Sequence, residues 1–455
     1  MKNILLLLVF ACLTPQAVVA QTTTGWANWM GPNMQGVWRE TGVLKKFPEA
    51  GPKIRWRSKI GGGYAGPAAV DQQVFLMDRT DDTRGRTVEN EIRKAGEIPG
   101  GERVVCLDVS TGQELWAYGY DCPYRIAYPT GPRCTPVVET DRVYTLGAMG
   151  DLVCLERDSG KPVWHKKLTS EFDAKPPVWG FASHPLIRGD QLIVPVGGDG
   201  SGVVAFDKKT GNEIWRSVTT MDVGYAPLVL YGEGSQRPQL IFWHAEGVTS
   251  LNPDTGEEYW FRKFPDEPNP SQTTIATPRL IGNRLLISEF YKGSLMLEIE
   301  SEPPGVKELW RSFQSDPKHE KSLNSMMTTP VIKEGYAYGI GYIGRGTGVL
   351  RCIDLENGVA KWTQEAWMED EPVVFATSFI VENDGRYIMF NDNGDLMLAN
   401  FTPGGFEMID KVKILEPTSV ARGRDVVWSH PAFYDRCMFV RNDKEVLCVD
   451  LSADE

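Results

Sequence analysis

Two histidines stand at matching places in the chain and mark a candidate binding site. His184 in WGFASHP and His430 in VVWSHP each precede a proline that opens an apolar segment, and Trp179 and Trp428 lie a few residues before them. Arg133, in GPRCTP, holds a related place one repeat unit away. Imidazoles, indoles and a guanidinium at the mouth of a channel could hold a ligand. The alternative is similarity inherited with a repeat, in which each histidine is hydrogen-bonded to a neighbouring unit.

No other residues form a recognisable catalytic or metal-binding motif. The chain has no G-x-S-x-G elbow, P-loop, Cys-x-x-Cys pair or helix-opening G-x-G-x-x-G, and no Ser-His-Asp signature. Residues 391–395, NDNGD, resemble a calcium loop, but they lack the spaced glutamate of an EF-hand and fall where a turn is due. We therefore assign no catalytic residue and no metal ligand.

The cysteines leave two disulfides open. Cys122 and Cys134 bound the segment DCPYRIAYPTGPRC, and Cys437 and Cys448 flank a predicted hairpin. Either pair could be bridged, but only geometry decides that. The cysteines in apolar strand contexts are predicted to act as small buried hydrophobes: Cys106, Cys154, Cys352 and Cys448.

The charge balance excludes one class of partner. Lys and Arg total 48 against 60 Asp and Glu, which gives a formal net charge of −12. The chain has no basic run, and a nucleic-acid backbone requires a cationic surface. We therefore expect no nucleic-acid partner, and anionic membrane surfaces are disfavoured for the same reason.

The N-terminus predicts export. Residues 1–20 combine a lysine at position 2, a short apolar run over residues 4–13 and small residues before Gln21, as in a secretory signal peptide. Ten apolar residues are too few to cross a bilayer, which requires about 20. We expect a periplasmic or secreted protein without a transmembrane segment. The alternative is a lipid anchor, because VFAC, ending at Cys12, resembles a lipobox.

One hairpin pattern recurs seven times. It consists of an acidic residue or asparagine, a glycine four residues later and a tryptophan four residues after that, as in VVCLDVSTGQELW, which ends at Trp116. Two looser copies reach Trp310, with four residues inserted, and Met408, which replaces the tryptophan. The other copies end at Trp164, Trp215, Trp260 and Trp362.

Each copy has the composition of two short strands joined by a tight turn. The acid accepts hydrogen bonds from backbone N–H groups ahead of it, and glycine adopts the positive φ that other residues resist. A tryptophan at a fixed place on the return strand can wedge against the next unit and bury about 150–250 Å². At about 25 cal/mol/Å², the wedge contributes roughly 4–6 kcal/mol before entropy is subtracted.

A second hairpin, often opening with proline, alternates with the first and occurs eight times. Two hairpins give four strands per unit of about 50 residues, which is the description of a β-propeller blade. The last unit ends after its third strand, at EVLCVD, while PKIRWRSKI near the N-terminus supplies an unused strand with Trp56 in the repeat position. We predict an all-β, eight-bladed β-propeller whose last blade is closed by the N-terminal strand.

The same spacing sets the domain boundaries. Residues 53–455 form the propeller, with residues 53–60 completing the last blade and residues 79–103 inserted as a charged, solvated loop in blade 1. Residues 21–52 contain three tryptophans and precede the first strand. We expect this leader to lie across the propeller with its indoles in grooves, without a binding role.

The Asp-x-x-Thr-Gly-x-x-x-Trp repeat resembles that of the pyrroloquinoline-quinone (PQQ)-like β-propellers. That family contains quinoprotein alcohol dehydrogenases as well as the propeller lipoprotein of the outer-membrane barrel-assembly machine, so the resemblance is strong for fold and weak for function. The resemblance to the dehydrogenases implies two adjacent cysteines and a calcium site of Glu, Asn and Asp. The chain has no Cys-Cys pair, and we match no calcium ligands to it.

These absences favour the non-enzymatic branch of the family. We expect a non-catalytic binding or scaffold module of the cell envelope, a monomer without a bound cofactor that contacts an envelope protein or polymer. The alternative is a quinoprotein-like oxidoreductase, or a propeller that binds a small or sugar-like ligand in its channel. Clustering of Arg133, Trp179, His184, Trp428 and His430 around one cavity would favour ligand binding.

Overall fold

The computed structural model describes residues 25–80, 97–267, 273–312, 323–344 and 346–453, and over these ranges the chain is almost entirely β-structure. The strands form eight four-stranded antiparallel blades arranged as a propeller, which confirms the predicted fold. The predicted signal peptide and Cys12 lie outside the described residues.

The strands of the first four blades follow the predicted order from the channel outward. Blade 1 contains β3 (Ala68–Val70), β4 (Gln73–Arg79), β5 (Gly101–Asp108) and β6 (Glu114–Asp121), with β1 (Gly25–Trp26) added at its inner edge; blade 2 contains β7 (Val137–Val138), β8 (Arg142–Leu146), β9 (Asp151–Glu156) and β10 (Pro162–Lys167). Blade 3 contains β11 (Leu186–Arg188), β12 (Gln191–Pro195), β13 (Val203–Asp207) and β14 (Glu213–Ser217); blade 4 contains β15 (Val229–Tyr231), β16 (Gln239–His244), β17 (Gly247–Leu251) and β18 (Glu258–Lys263).

The remaining blades repeat this order, with one exception in blade 8. Blade 5 contains β19 (Arg279–Ile281), β20 (Arg284–Glu289), β21 (Gly293–Ser301) and β22 (Pro304–Arg311); blade 6 contains β23 (Val331–Lys333), β24 (Tyr336–Ile343), β25 (Thr347–Asp354) and β26 (Ala360–Gln364). Blade 7 contains β27 (Ser378–Asn383), β28 (Arg386–Asn391), β29 (Asp395–Thr402) and β30 (Gly405–Lys413); blade 8 contains β33 (Ala432–Tyr434), β34 (Cys437–Arg441), β35 (Glu445–Asp450) and β2 (Ile54–Lys59). A small hairpin, β31 (Ser419–Ala421) and β32 (Arg424–Val426), connects blades 7 and 8.

Blade 8 is closed by the N-terminal strand, as predicted. Strand β2 runs antiparallel to β35, with Trp56 opposite Cys448 and Lys59 opposite Glu445. Because β2 and β35 come from opposite ends of the chain, hydrogen bonds and side-chain packing, rather than a turn, hold the ring together at this seam.

The repeat tryptophans lock each blade to the next. At five junctions the indole lies over the turn glycine of the following blade so closely that an added Cβ would be 2.4 to 2.8 Å from the ring, and its N–H donates to the carbonyl of the residue after the turn acid. The tryptophan–glycine pairs are Trp56 with Gly112, Trp116 with Gly160, Trp164 with Gly211, Trp215 with Gly256 and Trp310 with Gly358. This contact explains why the acid, glycine and tryptophan keep a fixed spacing.

Three of the eight junctions depart from the lock, those of Trp260, Trp362 and Met408. The N–H of Trp362 donates to the carbonyl of Thr402, and a Cβ at the turn glycine Gly404 would not touch the indole. The N–H of Trp260 donates instead to Gln239, whose own amide reaches the carbonyl of Glu300 in blade 5. Met408 faces blade 8, whose third and fourth strands are not joined by a turn, so that junction has no turn glycine to receive an indole.

The leader crosses the propeller on one side. Strand β1 pairs with β3, and Trp26 packs edge-on against Phe433 of blade 8. The backbone N–H of Trp38 donates to the carbonyl of Glu382 in blade 7, whose own N–H donates to the carbonyl of Gly36. Trp26, Trp38 and Phe47 belong to the core shared with blades 7 and 8. The leader is therefore part of the packed structure.

The predicted insertion is shorter than residues 79–103. Strand β4 continues through Arg79 and β5 begins at Gly101, while residues 81–96 lie outside the described ranges. Arg79 is fully buried, and its guanidinium donates to the carbonyls of Cys122, Ile98 and Pro99. It is part of the interior and not of a solvated loop.

The seven cysteines from Cys106 onward are buried free thiols. The thiol of Cys122 donates to Asp151 at 3.6 Å and that of Cys134 to the carbonyl of Ser183 at 3.4 Å, so each has its own partner. Within the ranges above, the one helix is α1 (Leu168–Glu171), a single turn, and no helix there is long and apolar enough to cross a membrane.

Candidate functional site

A cavity of about 220 Å³ lies at the centre of the ring. Its wall is formed mainly by the loops that lead into the innermost strand of each blade, so side chains distant in sequence converge on the channel axis. In blade order the wall includes Tyr64, Arg133, His184, Tyr225, Ile275, Met327, Phe379 and His430.

One repeat position supplies much of this wall. In seven blades a proline or serine stands at the start of the innermost strand, either just before it or as its first residue. We call the residue three places before this proline or serine position −3, and in all seven blades it lines the cavity. The −3 residues are Tyr64, Arg133, Ala182, Ile275, Met327, Phe375 and Trp428. The residue directly before the same proline or serine is position −1, which includes Thr135, His184, Thr277 and His430.

The wall is aromatic, with two positive charges and no negative one. Of its twenty residues, ten are Trp, Tyr or Phe and two are His, while none is Asp or Glu. The charged residues are Arg133 and Arg422. An anion entering this cavity would therefore meet cationic groups and π faces without a competing carboxylate in the described wall.

Arg133 is held in place by backbone carbonyls. Its guanidinium donates to Gly131, Tyr128 and Ala127, the last at 2.9 Å, and lies 5.1 Å from the centre of the Tyr64 ring. Within the described residues no carboxylate lies within ion-pair distance of Arg133, so its charge is not neutralised by the protein there.

Arg422 is presented by the hairpin between blades 7 and 8. It sits at the turn between β31 and β32 with φ of 51°, and its guanidinium lies 4.6 Å from the centre of the Phe375 ring. The nearby carboxylate of Asp392 is bound by Arg424 of the same hairpin. Arg424 thus forms the ion pair with Asp392, and Arg422 remains an exposed cation at the cavity.

The two candidate histidines are buried and linked through Thr135. The backbone N–H of Thr135 donates to Nδ1 of His184 at 3.0 Å, and its hydroxyl is 2.5 Å from Nε2 of His430, whose Nδ1 faces the carbonyl of Pro431 at 2.9 Å. A neutral His184 therefore carries its proton on Nε2, and His430 on Nδ1. Burial lowers the pKa of His430 to about 4 and that of His184 well below its usual value, so both are uncharged at neutral pH.

Three tyrosines of the wall are also neutral at neutral pH. Burial raises the pKa of Tyr64 to about 12, against the opposing effect of Arg133, and burial raises the pKa of Tyr225 and Tyr291 as well. None of these phenols is a strong candidate for a base at neutral pH. The described wall therefore offers binding groups and no evident acid–base pair.

The leader contributes Trp29 to the same cavity. Its indole stacks on His184 with ring centres 4.5 Å apart, meets His430 edge-on at 4.4 Å and Phe379 at 6.3 Å, and donates through Nε1 to Thr277 at 2.9 Å. A residue outside the repeats thus touches four different blades.

Comparison with known proteins places the chain among two groups of propellers. The family model described as "Outer membrane protein assembly factor BamB" matches residues 100–318. The BamB of Burkholderia pseudomallei is 29% identical over 31% of this chain and 34% of its own length, and a quinoprotein ethanol dehydrogenase of Pseudomonas aeruginosa is 22% identical over 71% of this chain and 49% of its own. The crystal structure of BamB from Moraxella catarrhalis superimposes with a TM-score of 0.58 at 12% identity, over 88% of this chain and 99% of that one. The chain is an eight-bladed β-propeller that is similar to both groups.

Solved structures from both groups share this β-propeller fold. The matches cover about a third and a half of the lengths of these two curated relatives. The fold is therefore shared, whereas the activities and partners of those whole proteins do not transfer by similarity alone.

All five residues singled out in the sequence line the cavity of this propeller: Arg133, Trp179, His184, Trp428 and His430. The predicted place of the imidazoles needs correction. His184 and His430 pack against Trp29, and only 6% and 5% of their surfaces are exposed. They therefore do not lie at an open mouth of the channel.

Sequence reasoning missed Trp29 and Arg422. Trp29 has no repeat position, and its indole occupies the channel and not a surface groove. Arg422 lies in a connection that varies between blades. The −3 residues could have been found in the sequence, because each stands three places before the proline or serine of its repeat.

The residues present do not fit the calcium-bound quinone of the dehydrogenases. No carboxylate lines the described wall, and no group of three or more His, Cys, Asp or Glu in the part of the chain covered by the structure could hold a metal ion. The adjacent-cysteine pair is also missing from the sequence.

Proposed function

We propose that this PQQ-like propeller is an exported, non-catalytic binding module of the cell envelope, and that its channel cavity binds a small organic anion with a planar group. The observation that supports this proposal is a wall of ten aromatic residues and two arginines in which the described part contains no carboxylate. A planar group can stack on indole and phenol rings, and its charge can pair with a guanidinium.

The electrostatic argument favours an anion over a neutral sugar. A guanidinium beside a cavity without a carboxylate partner gains more from an anion than from a hydroxyl group, because charge-assisted hydrogen bonds are about twice as strong as neutral ones. Arg422 is in this position, and its ring contact with Phe375 leaves its hydrogen-bond donors available. A neutral sugar would use the aromatic faces and leave this charge unpaired.

The protonation states of the cavity residues also favour ligand binding over acid–base catalysis. His184 and His430 are neutral and already hydrogen-bonded to Thr135 and the backbone. Burial raises the pKa values of Tyr64, Tyr225 and Tyr291. A catalyst of proton transfer needs a group whose pKa lies near the working pH. Nothing in the described wall meets that condition.

A quinone-dependent oxidoreductase is the second candidate. The similarity to quinoprotein ethanol dehydrogenase over 71% of this chain favours it. The missing carboxylates and the missing cysteine pair oppose it, and on that basis we expect no calcium-dependent PQQ binding.

The cellular setting is proposed on the N-terminal sequence and on the relatives. A signal-like segment over residues 1–20 and similarity to proteins named outer-membrane assembly factors support a periplasmic or secreted location. The partner we propose is an envelope protein or polymer that contacts the blade loops, and cross-linking in cells followed by mass spectrometry would identify it.

A charge-matched pair of probes tests the binding proposal by calorimetry. Naphthalene-2,6-dicarboxylate and naphthalene-2,6-dimethanol share one ring system and differ in charge. We expect the dicarboxylate to bind at least about tenfold more tightly, equivalent to about 1.4 kcal/mol. Arg422→Gln should remove most of that difference, whereas Lys361→Gln, which deletes a positive charge on the exposed outer strand of blade 6, should leave it unchanged.

Three outcomes would reject this proposal. The first is absence of dicarboxylate binding, the second is equal affinity for both probes, and the third is insensitivity to Arg422→Gln. A parallel titration with PQQ and calcium chloride tests the second candidate. If calcium strengthens PQQ binding and the loaded protein reduces a dye with ethanol, the protein is an oxidoreductase.

A further inference from the structure

Trp29 lies on the axis of the channel. Its indole contacts His184 of blade 3 and Phe379 of blade 7, which are four blades apart and therefore opposite each other in an eight-bladed ring. It also reaches Thr277 of blade 5 and His430 of blade 8. Only a side chain at the centre of the ring can touch blades on opposite sides of it.

The leader is fastened around this contact by a buried arginine. Arg279 of blade 5 is 9% exposed and donates to the carbonyls of Met34 and Gln35 at 2.9 and 3.1 Å. Burial lowers the pKa of Arg279 to about 10, which shows how far this cation is removed from water. If the leader undocked, these donors would lose their acceptors, and a buried unpaired charge is strongly unfavourable.

A second attachment holds the leader to blade 7. The side-chain amide of Asn383 donates to the carbonyls of Trp38 and Glu40, both at 2.9 Å, and the backbone of Glu382 bonds with Gly36 and Trp38. The leader is thus fixed to blades 5 and 7, both of which Trp29 also contacts.

We propose that residues 25–38 of the leader form the floor of the binding cavity. Trp29 then contacts the bound ligand and determines which planar groups the cavity accepts. This proposal rests on the proposed function and adds a component outside the repeats. The cavity is then open to ligand on one side only, and its full wall exists only when the leader is docked. Since binding energies are reciprocal, the ligand must also stabilise the docked leader.

The test combines binding with hydrogen exchange on the full chain. We expect naphthalene-2,6-dicarboxylate to slow amide exchange in residues 25–38. Trp29→Ala should weaken its binding at least about tenfold, and Trp29→Phe, which keeps a ring but loses the N–H donor, should weaken it less. Thr277→Val removes the hydroxyl that accepts from Trp29 without changing a residue of the wall, and we expect an intermediate loss.

A remote indole provides the control. Trp362, on the outer strand of blade 6, donates to the carbonyl of Thr402 and lies away from the cavity and the leader, so Trp362→Ala should bind the dicarboxylate like the unmodified protein. If the unmodified protein binds and all Trp29 and Thr277 variants bind equally well, with unchanged exchange in the leader, the inference is wrong and the proposed function stands. If the unmodified protein does not bind, both are wrong.

Discussion

The tryptophan lock is the smallest unit that explains the ring. At the five locked junctions the indole needs a glycine beneath it, because an added Cβ would overlap the ring, and a carbonyl at hydrogen-bond distance from its N–H. The wedge itself could be predicted from the repeat. The carbonyl acceptor could not, because it depends on the distance between two neighbouring blades and not on the sequence of either one.

Gly256 tests this lock against a matched glycine. Both Gly256 and Gly335 have positive φ, of 74° and 84°, but a Cβ at Gly256 would lie 2.6 Å from Trp215, whereas one at Gly335 would meet nothing within 4 Å. Each alanine variant carries the backbone cost of about 1 kcal/mol. Gly256→Ala should lose a further 1–3 kcal/mol or so through overpacking. Equal denaturation midpoints for the two variants would contradict the lock.

The neutral imidazoles predict binding that does not depend on pH near neutrality. The pKa of His430 is lowered to about 4 and that of His184 also lies well below its ordinary value, so neither gains a proton between about pH 6 and about pH 8. The dissociation constant of naphthalene-2,6-dicarboxylate should therefore be the same at both pH values. Clearly tighter binding at about pH 6 would mean that a histidine becomes charged in the cavity.

At the scale of elements, the closing strand carries a particular ionic contact. Arg55 of β2 donates to Asp450 of β35 at 2.9 Å across the seam, and Ser452 donates to the same carboxylate. Burial raises the pKa of Asp450, but these hydrogen bonds outweigh it and bring the value down to about 2 from 3.8. The ionised carboxylate is therefore stabilised in the closed ring.

This contact predicts an acid-sensitive seam. Because the folded pKa is depressed, the stabilisation by Asp450 is fully present above about pH 4 and is lost as the pH falls towards about 2. The melting temperature of the Asp450→Asn variant should therefore depend less on pH over that window than the melting temperature of the unmodified protein. Glu445→Gln, which breaks the more exposed pair with Arg57 on the same two strands, should change it less. An identical acid dependence in Asp450→Asn and in the unmodified protein would exclude this assignment.

The connections between blades show where sequence reasoning reached its limit. Position −3 is a repeat position, and the candidates Arg133 and Trp428 occupy it, so they could be found by alignment of the chain with itself. Arg422 stands in a hairpin that, among the described residues, occurs in the connection between blades 7 and 8. Arg79 is a charged residue whose guanidinium is satisfied by three carbonyls from two segments distant from it in sequence. Periodicity does not report contacts of this kind.

At the scale of the molecule, the ring could be predicted because a missing strand at one terminus matched a surplus strand at the other. The course of the leader could not be predicted, since residues 25–47 have no period and no partner that the repeat defines. Its tryptophans indicated burial without indicating where. Trp26 and Trp38 joined the core of blades 7 and 8, while Trp29 entered the channel.

Two shortened chains separate ring closure from leader docking. A variant that begins at Gly61 loses β2 and the lock of Trp56 on Gly112, leaving β35 with an open edge that can pair with other molecules. Loss of the buried indole alone costs about 3–5 kcal/mol, much of a typical stability of roughly 5–15 kcal/mol. We expect this variant to self-associate in light scattering and to melt at a much lower temperature. A variant that begins at Lys53 keeps β2 and should remain monomeric, because β35 keeps its partner strand, but it should also melt earlier, because Arg279 loses the leader carbonyls. If the chain beginning at Gly61 stays monomeric with an unchanged melting temperature, the N-terminal strand does not hold the ring closed.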